Sequence, residues 1–288
     1  MPELPEVETM VRDLAPRLEG CRIARVQLRK SDVLRAVTKA RLIKVLTGNT
    51  IEQVSRRAKH AVFRLLSGHR MIVQPRMTGS FLVHEQPLTR AELKYAVLLC
   101  SLSDGRTFVY RDVRRLGTIW LLDEDGWIAY TGRIGPEPLE ETFTAFTFAE
   151  RLKGTRTAVK KAIMDQRRLA GVGNIYANEA LFDARLDPSK PTHRVSLEEF
   201  GRLHAAIVDV LQRALASSGT TLRDYRTGTG ERGRFQFELR VYGRGGEKCV
   251  NCGRKLVMTH EIDLRQTVFC RTCQAVRRSF SAGERPRR

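Results

Sequence analysis

The sequence predicts an α+β, multidomain protein: an amino-terminal helix leading into a β-sandwich or barrel, a helical middle, and a four-cysteine zinc finger. Three observations carry this reading. Short strand-like runs broken by turn signals fill the stretch from about residue 22 to residue 130. Helical periodicity with a capping box follows, and two Cys-x-x-Cys pairs come last.

Taken in order, Val7, Met10, Val11 and Leu14 repeat at i, i+3, i+4 and i+7, the spacing of one apolar helix face. Pro5 suits the first helical position, where its missing N–H costs nothing, so Pro2 and Glu3 fall just outside the positive end of that helix. Residues 61–66 and 71–73 then read as strands, and Asp104-Gly105 and Asp125-Gly126 each separate β-favouring runs as tight hairpins do. Residues 131–138, rich in Gly and Pro, break the pattern like a hinge. Beyond it, Ser196-Leu197-Glu198-Glu199 forms a capping box. Leu197, Phe200, Leu203, Ile207 and Leu211 continue as an apolar stripe, and Gly219 is a natural stop. Residues 226–234 read as a mobile Gly/Arg loop and residues 277–288 as a basic, disordered tail.

The charge balance narrows function. With 51 Lys+Arg against 32 Asp+Glu the net charge is +19, which favours a polyanionic partner, nucleic acid ahead of a ribosomal or membrane-surface role. The opening residues are acidic rather than basic-then-apolar, and no apolar run approaches the roughly 20 residues of a membrane span. The expectation is a cytoplasmic protein with no membrane association, where disulfides are disfavoured. The cysteines therefore read as ligands. Cys249-x-x-Cys252 and Cys270-x-x-Cys273 flank the 17 residues 253–269, a spacing suited to one structural zinc ion with no open position. Cys21 and Cys100 read as ordinary packed thiols. No His-Glu-x-x-His spacing and no phosphate loop of the Gly-x-x-x-x-Gly-Lys type is present, so a catalytic metal and a nucleotide cofactor have no support.

Two segments carry candidate chemistry. Removal of Met1, common before a small residue, exposes Pro2 as a secondary amine able to form a Schiff base, with the Glu3 carboxyl as proton-transfer partner. Its competing explanation is plain helix entry. Further on, Gly171-Val172-Gly173-Asn174 precedes a helix and resembles an anion-binding turn, with Lys160, Arg167 and Arg168 upstream for a DNA phosphate. Here the competing explanation is a simple turn with a cap.

Together these pieces resemble the formamidopyrimidine-DNA glycosylase and endonuclease VIII family. The residues that carry the resemblance are Met1-Pro2-Glu3-Leu4-Pro5-Glu6-Val7-Glu8-Thr9, Arg56-Arg57-Ala58-Lys59, Met77-x-Gly79, Asp112-Val113-Arg114-Arg115-Leu116-Gly117, Gly135-Pro136-Glu137-Pro138, Gly171-Val172-Gly173-Asn174-Ile175-Tyr176, Val241-Tyr242-Gly243 and the two cysteine pairs. They run in family order over residues 1–273, and the opening segment is closer to the formamidopyrimidine branch. The resemblance implies a β-sandwich domain (1–134), a helix–two-turn–helix domain (135–235) and a zinc finger with basic tail (236–288), with damaged duplex DNA in the cleft and a monomeric enzyme. It also implies roles. Pro2 attacks the sugar C1′, Glu3 helps open the sugar ring, Lys59 serves β-elimination, and Arg265 serves δ-elimination and grips phosphate. Lys160, Asn174 and Tyr242 match phosphate-contacting positions, and Tyr95 stands where a phosphate-contacting histidine is usual. Met77 and Arg114 match side chains that fill the gap left by a flipped base.

The sequence departs from the family pattern at Gln74-Pro75-Arg76 before Met77, at Lys94-Tyr95, at Leu116 in place of phenylalanine, and at Leu264 in place of glycine. These departures bear on lesion preference. The reading is thus a base excision repair glycosylase with abasic-site lyase activity toward oxidised purines. Its rivals are the same chemistry on oxidised pyrimidines or other lesions, a DNA-damage binder without catalysis, and a zinc-ribbon adaptor. The binder needs no joint presence of Pro2, Glu3 and Lys59, and the adaptor leaves the amino-terminal motif unexplained.

Overall fold

The computed structural model describes residues 2–220 and 233–274. The apolar face of helix α1 (Leu4–Leu18) is buried as its periodicity predicts, with Pro5 in the first turn. Two four-stranded antiparallel sheets follow, as the sandwich reading expects. One has the order β1 (Ile23–Leu28), β6 (Ala96–Leu102), β7 (Thr107–Asp112), β5 (Gly79–His84). The other has the order β2 (Ile51–Arg57), β3 (His60–Leu65), β4 (Arg70–Gln74), β8 (Thr118–Leu122). Their inner faces meet around Phe63, Phe81 and Phe108, which pack at centroid distances of 5.2–6.1 Å, with α1 laid against β2, β3 and β5. Strand β5 alternates buried and half-buried residues, the mark of one covered face. By contrast β6 is buried on both faces, because the short helix α3 (Arg90–Leu93) and Leu88 cover Leu99 from outside. Asp104-Gly105 makes the expected β6–β7 turn, Gly105 at φ +90°.

Two expectations in this region need correction. Asp125-Gly126 is not a hairpin. The Asp123 carboxylate accepts the Gly126 N–H at 3.0 Å and caps helix α4 (Glu124–Thr131), whose first turn is acidic. Capping thus outweighs the turn propensity of the dipeptide. Helix α2 (Lys39–Leu46) also interrupts the strand-rich stretch, capped by Thr38.

The helical middle holds α5 (Ala145–Leu152), α6 (Val159–Ile163), α7 (Asn174–Asp183) and α8 (Leu197–Ala216) around one core. The Ser196–Glu199 capping box forms as expected, with bonds of 2.8 and 3.2 Å. Phe200, Leu203, Ile207 and Leu211 are buried, whereas Leu197 is 65% exposed. Leu197 sits at the first helical residue, before the stripe turns inward. Beyond α8, Gly219 at φ +77° returns its N–H to the Ala214 carbonyl. The third unit pairs β9 (Val257–Thr259) with β10 (Thr267–Phe269) over a small core, and Phe182 of α7 inserts into that core. Most of the Gly/Arg loop and the whole basic tail lie outside the described residues. Among the described residues no helix is long and apolar enough to cross a membrane.

Helix α1 also bridges the two larger units. Most of it belongs to the sandwich core, but Leu4 belongs to the helical core, and its N–H donates to the Gly171 carbonyl at 3.0 Å. The amino terminus is thereby pinned where the two cores meet.

Candidate active site

Glu3 caps α1 and is 2% exposed, a burial that a carboxylate tolerates only with partners. Those partners come from the start of α7: the Gly173 N–H donates to Glu3 Oε2 at 2.6 Å and the Ile175 N–H to Oε1 at 3.0 Å. Thus the anion at the α7 terminus is a side chain of the protein itself. The reading of Gly171–Asn174 as a direct phosphate cradle is corrected accordingly, since the Gly173 amide and that of Ile175 just beyond the segment are already taken by Glu3. The glycines are required by this contact. A Cβ on Gly173 would lie 2.5 Å from Glu3 Oε1 and 2.6 Å from Lys59 Nζ, and one on Gly171 (φ +79°) would meet Leu4 at 2.6 Å.

Behind Glu3 stands Glu6, buried and given no role by the sequence reading. It accepts the Glu3 N–H at 2.7 Å, the Thr220 N–H at 2.8 Å and the Tyr176 hydroxyl. Burial, followed by the Glu3 charge, pushes the Glu6 carboxyl above its usual range. Pro2 is buried beside this pair.

Lys59 reaches the same place from the β2–β3 turn and is 5% exposed. Glu137 fixes that turn by bonding Arg56 and Arg57 at 2.6 Å each and accepting the Ala58 N–H at 2.6 Å. Burial lowers the Lys59 pKa, with Arg265 and Arg76 acting in the same direction; the charges of Glu3 and Glu6 oppose the shift without cancelling it. A lysine so placed yields its free amine more readily than one in water.

The remaining candidates divide. Arg265 is exposed on the turn before β10. Asn174 donates its side-chain N–H to the Gln266 carbonyl at 3.0 Å, and Tyr242, partly buried, follows Val241 in a segment whose three N–H groups at 240–242 all bond Glu179. Burial raises the Tyr242 pKa, the Glu3 charge adds to it, and a hydrogen bond with Asn174 works against it. Lys160, expected to touch phosphate, is corrected: it is 0% exposed, and its ammonium is enclosed by Asp263, Thr267 and the Gln266 carbonyl. Met77, Arg114 and Tyr95 form a separate group. Met77 is 43% exposed with Arg114 Nη1 3.2 Å from its sulfur, and the two loops are joined where Thr78 donates to Asp112 at 2.5 Å and accepts the Arg114 N–H at 3.0 Å. Tyr95 lies under this loop pair, its carbonyl accepting the Asp112 N–H, in a cleft of about 240 Å³ with Lys30 and Arg115.

The four cysteines of the finger come together as their spacing predicts. Their sulfur atoms lie within 4.8 Å of one another, with Cys249–Cys273 at 3.8 Å and Cys252–Cys270 at 3.5 Å, and none is in a disulfide. A tetrahedral zinc with Zn–S bonds of about 2.3 Å has sulfur–sulfur edges of about 3.8 Å, so the cluster fits a zinc ion and four thiolates complete its shell. Cys100 packs in the sandwich core, and Cys21 is half-buried next to Arg106. Sequence reasoning assigns no role to Glu6, Glu137, Asn178, Glu179 or Asp263. Glu6 and Glu137 lie within the family motifs, but carboxylates and amides that bond backbone groups far along the chain have no local signature.

Family comparison agrees with this geometry. Residues 1–119 match the formamidopyrimidine-DNA glycosylase N-terminal domain, and residues 134–226 match the formamidopyrimidine-DNA glycosylase H2TH domain. The chain is 38% identical over 276 residues to a formamidopyrimidine-DNA glycosylase of Desulfitobacterium hafniense, covering 95% of this chain and 100% of the relative. It is 40% identical over 276 residues to one of Chloroflexus aurantiacus, covering 95% and 98%. Among solved structures, a variant of the Lactococcus lactis protein in complex with Fapy-dG containing DNA superposes with a TM-score of 0.88 at 34% identity, covering 96% of this chain and 100% of that one. The Lactococcus lactis protein bound to abasic-site DNA gives 0.88 at 34% identity, covering 95% and 100%. With its sandwich, its helical unit and its four-cysteine cluster in the same order, the chain belongs to the formamidopyrimidine-DNA glycosylase family.

Proposed function

We propose that this protein binds damaged duplex DNA, excises oxidised purines and then cleaves the strand, with Pro2 as nucleophile once Met1 is removed. The observation that carries the reading is the convergence of Pro2, Glu3 and Lys59, residues 57 positions apart in sequence, on one buried corner held by the α7 amides. A DNA-binding protein without chemistry has no use for a buried lysine beside a buried carboxylate.

The Pro2 nitrogen bonds to C1′ of the flipped nucleotide and the glycosidic bond breaks, its electron pair leaving with the base, which takes up a proton. Opening of the C1′–O4′ bond, with Glu3 supplying a proton to O4′, leaves an iminium between Pro2 and the sugar. Loss of the C2′ proton, the step served by Lys59, breaks C3′–O3′ with the electrons on the 3′ phosphate. Loss of the C4′ proton, served by Arg265, breaks C5′–O5′ with the electrons on the 5′ phosphate. Water then releases the sugar fragment from Pro2. Met77 and Arg114 fill the vacated stack, and Asn174 and Tyr242 face the DNA backbone. Zinc holds the finger and takes no part in these steps.

A second lesion class is supported by a specific observation: the Lactococcus lactis protein also superposes at a TM-score of 0.87 in a complex with an oxidized pyrimidine containing DNA. Oxidised pyrimidines are therefore the alternative substrate. The test is borohydride trapping on duplexes carrying 8-oxoguanine, an oxidised pyrimidine or an abasic site, with native protein and Pro2→Gly. A covalent complex on 8-oxoguanine that needs Pro2 is the expected result. Trapping on the pyrimidine lesion alone reassigns the substrate, and trapping on none, with Met1 absent and zinc present, ends the catalytic reading.

A further inference from the structure

The finger tip reads Asp263-Leu264-Arg265-Gln266-Thr267, with Leu264 standing where the family pattern has glycine. Leu264 is 89% exposed and holds φ +63°, a left-handed conformation that disfavours any side chain beyond glycine. Something other than glycine must therefore set the turn. The buried Lys160 ammonium of α6 does so from below. It donates to Asp263 Oδ1 at 3.1 Å, to Thr267 Oγ1 at 2.8 Å and to the Gln266 carbonyl at 3.3 Å, using residues on both sides of Arg265. Asp263 Oδ1 also accepts the N–H of Arg265 itself at 3.2 Å. The side chains of this pair are 0% and 4% exposed.

We infer that Asp263, paired with Lys160, is a positioning residue that aims Arg265 into the site for the second elimination. Simple adhesion between finger and helical unit does not call for an ion pair here. A buried pair loses most of its attraction to desolvation, and an apolar pair of similar volume holds two surfaces at least as well. What the ion pair adds is direction, since one ammonium with three donors fixes three acceptors at once. Those acceptors immobilise the backbone around Arg265 while its guanidinium stays exposed. The inference rests on the reading of Arg265 as the group that serves loss of the C4′ proton.

The test uses the zinc-loaded full chain on an abasic-site duplex in single turnover, resolving the unsaturated aldehyde left at the 3′ end by the first elimination from the 3′ phosphate left by both. For Asp263→Asn the ratio of second to first product is expected to fall about tenfold to a hundredfold, with the borohydride-trapping rate within about threefold of native, since misplacing a reacting group by an ångström has effects of that order. The double variant Lys160→Met/Asp263→Leu restores an apolar contact without direction. It is expected to keep zinc and melting temperature yet still stop after the first elimination. If the double variant regains the native product ratio, or if Asp263→Asn slows trapping as much as the second elimination, the pair is adhesive only and the inference is overturned. Arg265→Ala is run beside them. If it leaves the ratio unchanged, the reading of Arg265 itself fails, and the positioning role of Asp263 with it. If it alone abolishes the second product, Arg265 stands and the positioning role of Asp263 does not.

Discussion

Glu3 and Lys59 owe their proximity to the absence of a single atom. At Gly173 a methyl group would overlap both of them, at 2.5 and 2.6 Å from the Glu3 oxygen and the Lys59 nitrogen, and neither can retreat far inside a packed corner. Gly173→Ala is therefore expected to reduce single-turnover excision about a hundredfold through misplacement, while costing about 1–3 kcal/mol of stability from overpacking. Excision kinetics and thermal melting together check this, and native rates in a stable Gly173→Ala protein would show that the close contact is dispensable. The pattern Gly-x-Gly before a helix is visible in the sequence, but its meaning is not. Both a phosphate and a carboxylate satisfy helix N-terminal amides, and only the fold brings Glu3, 170 positions away, to Gly173.

At the scale of elements, the two loops at residues 75–79 and 113–117 behave as one unit. Arg76 at φ +52° and Arg115 at φ +53° bend them toward each other, and buried Asp112 ties them by accepting from Thr78 at 2.5 Å and from the Gly117 N–H at 2.8 Å. Thr78→Val keeps the shape but leaves Asp112 short of a donor, a loss of about 1–3 kcal/mol. It is expected to slow excision from duplex DNA, where the proposed mechanism has Met77 and Arg114 enter the stack together, and to leave cleavage of a single-stranded abasic site unchanged, with Thr78→Ser restoring the native behaviour. Equal slowing on both substrates would show that the loops do not serve base flipping. Elements with strong periodicity or caps, such as α1, α8 and the β6–β7 hairpin, are legible in the sequence because their signals are local. Helix α4 is not, because Asp125-Gly126 carries a turn signal while the cap three residues before Gly126 decides the outcome.

For the whole molecule, charge and metal set the conditions of work. The finger supplies only five buried residues to its core, two of them cysteines, with Phe182 of α7 as a sixth, and its strands are three residues each. So small a core does not hold without its metal. Chelation of zinc from the purified protein is expected to abolish duplex binding and strand cleavage, and to leave most of the far-ultraviolet circular dichroism, which comes from the other two units. Readdition of zinc restores both activities. Duplex binding that survives a zinc content of zero would remove the finger from the DNA-binding surface. The net charge of +19 adds a steep fall of affinity with salt, measurable in the same anisotropy titration.

The sequence by itself determined what local chemistry can encode: the amino-terminal helix with Pro2 and Glu3 at its head, the four ligands of one zinc ion, the strand-rich and helical regions, and the polyanionic partner. These depend on periods of two and 3.6, on spacing between ligands, or on composition. Only the tertiary structure decided which groups meet. It gave the α7 amides to Glu3, enclosed Lys160 with Asp263 rather than leaving it to solvent, and seated Glu6, Glu137 and Glu179 beneath the segments they hold. Such contacts join residues tens to hundreds of positions apart. Burial makes each of them obligatory, because an unpaired charge or amide in the interior costs more than any local preference can offset.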